Sequence, residues 1–171
     1  MPAPIILVDE KDNQTGTAKK LYAHQKGLLH RAFSIVIFDH QGNILLQKRA
    51  LTKYHSAGLW TNACCSHPAP GEYIKESALI RLNEEMGFKT EIKKIFDILY
   101  KIELENGIIE NEYDHVFTGT WEGVPNPDPS EVTDWKWISR EDLKSDLKLY
   151  PENYTYWFKL IMERMDAQLN S

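Results

Sequence analysis

Apolar side chains occur along the chain mainly in short runs or at alternating positions, which is the pattern that β-strands produce. The segments with this pattern are residues 5–8, 33–38, 44–49, 90–101, 108–121 and 132–138. We predict that 44–49 is the hairpin partner of 33–38, because a turn-forming run separates the two. Asn106-Gly107 predicts a second hairpin turn, and Asp12-Asn13 together with residues 15–17 predict a turn after the first strand.

Helical periodicity is clearest between residues 73 and 86. Ala78, Leu82 and Met86 recur there at the spacing that brings side chains onto one helix face. Gly87 follows directly, and glycine is the residue that most often ends a helix in the left-handed conformation. We therefore predict a helix over 73–86 that packs one apolar face against the strands.

Other helices are predicted at the two ends of the chain. Residues 18–24 form either a short helix or an extended arm. Ser139 resembles the N-cap of a short helix, and Pro151 suits the start of a final helix that runs to about Leu169. Because helices and strands do not alternate regularly, the order predicts an α+β fold with a mixed or antiparallel sheet core flanked by helices.

Length and composition narrow the class of protein. A chain of 171 residues predicts one domain, residues 1–171, since a domain typically has about 100–200 residues. The net charge of -5 and the lack of a basic run disfavour nucleic-acid binding. The apolar runs are too short to cross a bilayer, and the first residues lack the basic region of a signal peptide. The two cysteines are adjacent, which argues against disulfides and favours a reducing cytoplasm.

The segment 61–68 is the most informative for chemistry, because it holds both cysteines and a histidine. On an extended chain Cys65 and His67 point to one face, whereas Cys64 and Ser66 point to the other. A thiol beside an imidazole suits a nucleophile, an acid–base pair or a metal site. The sequence alone leaves these three open.

Two carboxylates, Glu110 and Glu112, share one face of the strand predicted over 108–121. They either lie on a solvated edge or face a cation that offsets their repulsion. Together with His24, His30 and His67 they offer nitrogen and oxygen ligands that suit Zn, Mn, Mg or Fe.

An alternative metal site uses both cysteines. In it Cys64, Cys65 and two histidines hold a structural zinc, although the paired C-x2-C spacing typical of such sites is absent.

Scattered cations and aromatic residues supply the remaining candidates. Lys20, Arg49, Lys53 and Arg81 serve either solubility or a polyanion, to which arginine gives bidentate contacts. Glu85 near a helix end is either solvated or a metal ligand. Trp157 is either part of a core or the wall of a cavity, where its ring can stabilise a cation.

Five segments in the same order resemble the type 1 isopentenyl-diphosphate isomerase family of the Nudix superfamily. They are residues 20–24, 29–34, 48–53, 60–68 and 110–115. The resemblance spans most of the chain and implies a Nudix fold with a metal-dependent isomerase site. It implies an intramolecular oxidoreductase that transposes a C=C bond in isoprenoid biosynthesis, with a prenyl diphosphate as its substrate.

The resemblance also implies a role for each matching residue. The catalytic residues are Cys65, Glu112 and Tyr100. The metal ligands are His24, His30, His67, Glu110 and Glu112, with Glu85 holding the Mg2+ that accompanies the substrate diphosphate. The substrate contacts are Lys20, Arg49, Lys53, Arg81 and Trp157, the last as an aromatic lid. The ion in the His/Glu site is Mn2+, Mg2+ or Zn2+.

The implied reaction is a 1,3-allylic proton shift between isopentenyl and dimethylallyl diphosphate. Glu112 protonates the terminal carbon with help from Tyr100, and Cys65 removes a proton from the carbon nearer the diphosphate. An alternative is a Nudix-type pyrophosphohydrolase, but Ile80 and Arg81 stand where the Nudix motif has Arg and Glu. A second alternative is a metal-stabilised module that only binds phosphorylated ligands.

Overall fold

The computed structural model describes residues 2–169, which form strands β1–β9 and helices α1–α4. The strands are β1 Ile5–Val8, β2 Gln14–Ala18, β3 His30–Phe38, β4 Ile44–Arg49, β5 Trp60–Thr61, β6 Cys64–Ser66, β7 Ile92–Glu103, β8 Ile109–Thr120 and β9 Val132–Ile138. The α-helices are α1 Lys20–Lys26, α2 Ile74–Met86, α3 Arg140–Leu149 and α4 Tyr156–Leu169, and short 3-10 turns span Glu105–Gly107 and Pro151–Asn153. The predicted α+β class is confirmed.

Strand β3 is the centre of the sheet that brings distant segments together. It runs parallel to β8, and this register sets His30 opposite Glu112. On another part of its length β3 pairs antiparallel with β6, and Ser34 lies opposite Cys65. The remaining pairings are antiparallel, so the sheet is mixed as predicted.

Buried apolar side chains form one cluster on each side of the sheet, because successive residues of a strand point to opposite faces. On one side Phe33, Ile35 and Ile37 of β3 pack against α2, whose apolar face includes Leu82 and Met86. The other side is covered by α3 and α4. Helix α4 contributes the apolar residues Trp157, Phe158, Ile161, Met162 and Met165. The helices thus fix the sheet from both sides.

Helix α2 ends as the sequence predicts. Gly87 has a φ of 75°, and its N–H bonds to the carbonyl of Asn83. A Cβ at this position would lie 2.4 Å from the carbonyl oxygen of Asn126, so both the conformation and the space require glycine. This close approach brings the loop before β9 against the end of the helix.

The structure confirms the antiparallel β3–β4 pairing and the turn at Asp12-Asn13, but it corrects the extent of both elements and the start of the final helix. Residues 15–17 lie in β2, because Asp9 closes the turn earlier by accepting bonds from Lys11 and Asn13. Strand β4 meets β3 only at Ile44, and its main partner is β9.

The final helix begins at Tyr156 rather than at Pro151. A 3-10 turn follows Pro151, and the N–H of Thr155 then bonds to the carbonyl of Trp60. Because this bond holds Thr155 to Trp60, the helix begins only at the next residue, and its start is attached to the segment that leads to Cys65. Within residues 2–169, no helix combines the length and the apolar composition needed to cross a membrane.

Candidate active site

A cavity of about 210 Å³ opens beside β4, β6 and β8, and most of the predicted site residues line it. The predicted residues in its wall are Lys20, Arg49, Lys53, Cys65, His67, Arg81, Glu85, Glu110, Glu112 and Trp157. The other three, His24, His30 and Tyr100, contact the carboxylates of that wall. Segments far apart in sequence therefore meet around one small volume.

The three predicted histidine ligands and Glu112 converge. One ligand atom from each of His24, His30, His67 and Glu112 lies within 4.8 Å of the others. These four residues come, in that order, from helix α1, the start of β3, the residue after β6 and strand β8. Glu112 is only 7% exposed, so a solvated edge is excluded.

Glu110 lies outside that group of four but shares His24 with it. One of its oxygens lies 2.9 Å from Nε2 of His55 and 3.7 Å from Nε2 of His24. It forms a second group of possible ligands with these two histidines. His55 therefore joins the cluster, although its position in a loop gave no sequence signal for it.

The cluster fits a divalent cation. Nε2 of His24 is buried and lacks a hydrogen-bond partner among residues 2–169, which is what an unliganded metal-binding nitrogen leaves. His30 Nε2 and His67 Nε2 both lie about 3 Å from the same oxygen of Glu112, at 3.1 and 3.0 Å. Nitrogen and carboxylate donors in this mixture are the ligands that first-row divalent ions prefer.

The charges of the cluster follow from burial and pairing. Burial lowers the pKa of His24 to about 3. His30 is also buried, but its bond to Glu112 outweighs the burial and raises its pKa. Although burial opposes ionisation of Glu112, the bond from His30 lowers its pKa to about 2. A bound cation would take the place of the His30 proton.

Tyr100 fixes the carboxylates from the neighbouring strand. The β7–β8 register sets Tyr100 opposite Glu112, and its hydroxyl lies 2.8 Å from Glu112 Oε1 and 3.0 Å from Glu110 Oε2. Burial and these two negative charges raise the pKa of Tyr100 well above its usual value. The phenol therefore stays protonated and donates to the carboxylates.

The Cys65 sulfur lies on another wall of the cavity. The indole N–H of Trp157 points to it at 3.0 Å, and its own S–H reaches Asn62 Oδ1 at 3.1 Å. Ser34 Oγ lies 3.6 Å away and also donates to Asp114. Burial, together with the Asp114 charge, raises the pKa of Cys65 to about 12, so the sulfur is a thiol near neutral pH.

The neighbouring Cys64 points to the opposite face, as the strand alternation predicts. Its sulfur is fully buried against α2, 3.5 Å from Glu85 Oε2. Neither group of candidate metal ligands found within residues 2–169 includes a sulfur. The alternative structural zinc held by both cysteines is therefore wrong.

The predicted cations line the cavity, and two of them pair with carboxylates. Lys53 pairs with Glu131, and Arg81 bonds to Glu85 at 3.1 Å and lies 3.7 Å from Glu131. Burial lowers the pKa of Lys20, and the charge of Lys53 adds to this effect. Cations that repel one another in a buried wall favour an anionic occupant.

Arg49 and Trp157 support each other. The Arg49 guanidinium lies 5.3 Å from the centre of the Trp157 ring and donates to the carbonyls of His55 and Ser56. Trp157 is 4% exposed and belongs to α4, which makes it a fixed part of the wall beside the sulfur rather than an exposed lid.

Several residues of this site escaped the sequence analysis. Glu131 and His55 lie in loops or at strand starts, where no periodicity assigns a direction. Strand alternation could have identified Asp114, because it lies on the same face of β8 as Glu110 and Glu112. It is 1% exposed and accepts a bond from Ser34 at 2.8 Å.

Comparison with known sequences identifies the family of the chain. The NUDIX domain family matches residues 28–159. Isopentenyl-diphosphate Delta-isomerase 2 of Photorhabdus laumondii subsp. laumondii is 51% identical over 164 residues, which cover 96% of this chain and 93% of that protein. The isopentenyl-diphosphate Delta-isomerase 2 of Aromatoleum aromaticum is 47% identical over 165 residues, which cover 96% of this chain and 87% of that protein.

Solved structures match in fold. A Deinococcus radiodurans protein superposes with a TM-score of 0.71 at 14% identity, covering 86% of this chain and 90% of its own. The MutT protein of Methanosarcina mazei superposes with a TM-score of 0.69 at 19% identity, covering 84% and 96%. At such low identity these likenesses concern the fold alone.

Proposed function

The chain belongs to the isopentenyl-diphosphate Delta-isomerases within the NUDIX family, and from this premise we propose that it interconverts isopentenyl and dimethylallyl diphosphate. The observation that carries the proposal is one small cavity that is lined by a thiol, a carboxylate and a cationic wall. We also propose that residues 1–171 act as one domain in the cytoplasm, where the thiol stays reduced.

The diphosphate would bind against Lys20, Arg49, Lys53 and Arg81. These cations would hold the diphosphate in place while the allylic carbons react, because the product is an allylic diphosphate, from which diphosphate is otherwise a good leaving group. Glu85, buried and already bonded to Arg81, would hold the Mg2+ that the substrate carries.

In the forward direction Glu112 would donate its proton to the terminal carbon of the alkene. The electron pair of the double bond forms the new C–H bond and leaves a tertiary carbocation. Cys65 would then take a proton from the carbon nearer the diphosphate, and the electrons of that C–H bond form the new double bond. General acid–base assistance of this kind is worth about 10²–10⁴-fold each.

The forward and reverse reactions need opposite protonation states of Cys65 and Glu112 at the start. Without substrate the chain carries a Cys65 thiol and a Glu112 carboxylate, as their pKa values of about 12 and about 2 imply. The reverse reaction starts from this distribution, with Cys65 as acid and Glu112 as base. The forward reaction starts from the opposite one, so a proton has to reach Glu112 and leave Cys65 when isopentenyl diphosphate binds.

The surrounding side chains would support these steps. Tyr100 shares its proton between Glu110 and Glu112 and so orients the acid. The Trp157 indole N–H stabilises a Cys65 thiolate, and its ring keeps water from the carbocation. Water that reached the carbocation would add to it, so the exclusion of water by the Trp157 ring is needed.

A divalent ion would be held by His24, His30, His67, Glu110 and Glu112. We propose Mn2+, Mg2+ or Zn2+, in keeping with the nitrogen and oxygen donors. Such an ion, when bound, withdraws electron density from a carboxyl group that it contacts and so increases its acidity.

The hydrolase alternative is weakened by Arg81. Its guanidinium bonds to both Glu84 and Glu85, so a cation occupies the place where the Nudix motif has a carboxylate. A hydrolase needs carboxylates there to hold the ions that activate water. This arrangement favours holding a diphosphate over cleaving it.

NMR of a reaction mixture tests the proposal. Isopentenyl diphosphate is incubated with the protein and with Mg2+ and Mn2+, and both ¹H and ³¹P spectra are recorded. We expect signals of dimethylallyl diphosphate with both phosphorus atoms still attached to the prenyl chain. Release of phosphate or pyrophosphate would favour a hydrolase, and an unchanged substrate that still binds would favour a binding module.

A further inference from the structure

The loop between β4 and β5 carries two adjacent side chains that contact the His/Glu cluster. The Tyr54 hydroxyl lies 2.6 Å from Nδ1 of His24, and His55 Nε2 lies 2.9 Å from Glu110 Oε1. We propose that Tyr54 and His55 are positioning residues, of which Tyr54 fixes the tautomer of His24 and His55 fixes the orientation of Glu110. The inference rests on the proposed function, because it concerns the same metal site.

The contact with Tyr54 determines which nitrogen of His24 is available. A neutral imidazole has one N–H, so one nitrogen donates while the other accepts or binds a metal. If the proton lay on Nε2, it would lack an acceptor, since that atom has no hydrogen-bond partner among residues 2–169. If Nδ1–H donates to the Tyr54 oxygen, the lone pair of Nε2 points into the cluster. Only the second arrangement gives a ligand.

His30 has a similar arrangement with a backbone partner. Its Nδ1 lies 2.8 Å from the carbonyl oxygen of Leu28, which can only accept, so the Nδ1 of His30 carries the proton. Nε2 of His30 is the atom that faces Glu112. Tyr54 thus does for His24 what the Leu28 carbonyl does for His30. Such partners of metal-binding imidazoles fix ring orientation and tautomer.

His55 acts on the second carboxylate. Its Nε2 lies 2.9 Å from one oxygen of Glu110, while the Tyr100 hydroxyl donates to the other, so Glu110 is contacted at both ends. The other nitrogen of His55 faces Ser56 Oγ at 3.2 Å. With Nδ1 bonded to Ser56 and the ring 5% exposed, His55 is fixed beside Glu110.

Contacts from outside the cluster hold the loop in this conformation. The N–H of Ser56, which has a φ of 52°, bonds to the Glu105 carboxylate at 2.5 Å. Asn106 Nδ2 lies 3.4 Å from the Tyr54 carbonyl, and Arg49 bonds to the His55 carbonyl at 3.1 Å. The β7–β8 turn therefore helps to hold the loop, and with it Tyr54 and His55, against the cluster.

Titration of the metal-free protein with Mn2+ against a competing chelator tests the inference. We expect Tyr54→Phe and His55→Leu to weaken Mn2+ binding about 10–100-fold, the usual effect of removing such a partner. His55→Gln keeps an N–H that can reach Glu110 and should recover most of the affinity. In ¹⁵N spectra of the metal-free protein, Tyr54→Phe should also move proton population from Nδ1 to Nε2 of His24.

Matched variants control for general damage. Tyr22 is 52% exposed on the same helix as His24, and His40 is exposed in a turn, so Tyr22→Phe and His40→Leu should bind Mn2+ like the parent. The thermal unfolding of each metal-free variant should resemble that of the parent, which shows that it has folded.

Two results would overturn the inference. Parent-like Mn2+ affinity in both Tyr54→Phe and His55→Leu would show that the loop does not position the ligands. Equal losses in His55→Gln and His55→Leu would make His55 a ligand. Because parent turnover is measured separately, an active parent with either result rejects this inference alone, whereas an inactive parent rejects the proposed function.

Discussion

The two walls of the cavity that carry the proposed acid and base differ in their surroundings. Around the Cys65 sulfur the nearest groups are neutral, namely the Trp157 indole, the Asn62 amide and the Ser34 hydroxyl. Around the Glu112 carboxylate they are His30, His67 and the phenol of Tyr100. One wall therefore has few charges, whereas the other is a cluster of titratable groups.

This difference explains why a proton resides on one side and not on the other. Neutral neighbours cannot offset the burial of a thiolate, and the Asp114 charge adds to its effect, so the pKa of Cys65 rises to about 12. The His30 bond offsets the burial of the Glu112 carboxylate, and its pKa falls to about 2. A proton shift between two carbons needs a pair of groups with unequal proton affinities. Variants on the two walls should accordingly have different effects.

Glu112→Gln should have the largest effect, because it removes the proposed acid and a ligand together. We expect the isomerisation rate to fall by about 10⁴-fold, the upper end for acid–base assistance, and Mn2+ affinity to fall as well. Steady-state kinetics and chelator competition measure the two losses. Glu103→Gln, at an exposed position of β7, is the matched control and should change neither. Retention of both rate and metal in Glu112→Gln would remove Glu112 from the mechanism.

Cys65→Ala should lower the isomerisation rate strongly without affecting metal binding. We expect a loss of about 10²–10⁴-fold in rate and an unchanged Mn2+ affinity, because the sulfur belongs to the wall without ligands. Cys64→Ala is the control. Its sulfur is buried on the opposite face against Glu85, so activity should persist at some cost in stability. An inactive Cys64→Ala with an active Cys65→Ala would mean that the wrong sulfur had been assigned.

Tyr100→Phe should have an intermediate effect on the Glu112 wall. A hydrogen bond to a charged group is worth about 1.5–3 kcal/mol, so the rate should fall roughly 10–100-fold. Tyr113 is its matched control, because it lies on β8 with its hydroxyl on Asp97, away from the cluster. Tyr113→Phe should keep the parent rate. Equal rates for Tyr100→Phe and Tyr113→Phe would show that Tyr100 does not orient Glu112.

Trp157→Phe should have the smallest effect of this series. It keeps an aromatic ring but removes the N–H that bonds to Cys65, and a neutral hydrogen bond is worth about 0.5–1.5 kcal/mol. Because the N–H stabilises the thiolate, its loss should raise the thiol pKa, as measured by alkylation rate against pH. Trp137→Phe, whose indole bonds to Gly123, should leave that profile unchanged. A profile unmoved by Trp157→Phe would contradict the assigned bond.

The sequence predicted those parts of the site that depend on local periodicity. Strand alternation separated Cys65 from Cys64 and set Glu110 and Glu112 on one face, because side-chain direction within a strand has a period of two. Helical spacing and Gly87 defined α2 to within one residue at its start. These features need only neighbouring residues.

Features that depend on distant contacts were not predicted. The parallel pairing of β3 with β8 sets His30 opposite Glu112 although 82 residues separate them in sequence, and no local pattern encodes it. The place of His55 is set by bonds that Arg49 and Glu105 make to its loop. The late start of α4 likewise depends on a contact with Trp60. Tertiary contacts override local preference at these positions.

The most direct test of two opposed proton-transfer groups is deuterium uptake during turnover in D2O, followed by ¹H and ²H NMR. The account predicts deuterium in the new methyl group of dimethylallyl diphosphate, since the proton on Glu112 exchanges with solvent before it reaches the terminal carbon. In the reverse direction it predicts deuterium at the carbon nearer the diphosphate, delivered by Cys65. Turnover without deuterium at either carbon would contradict the protonation–deprotonation mechanism.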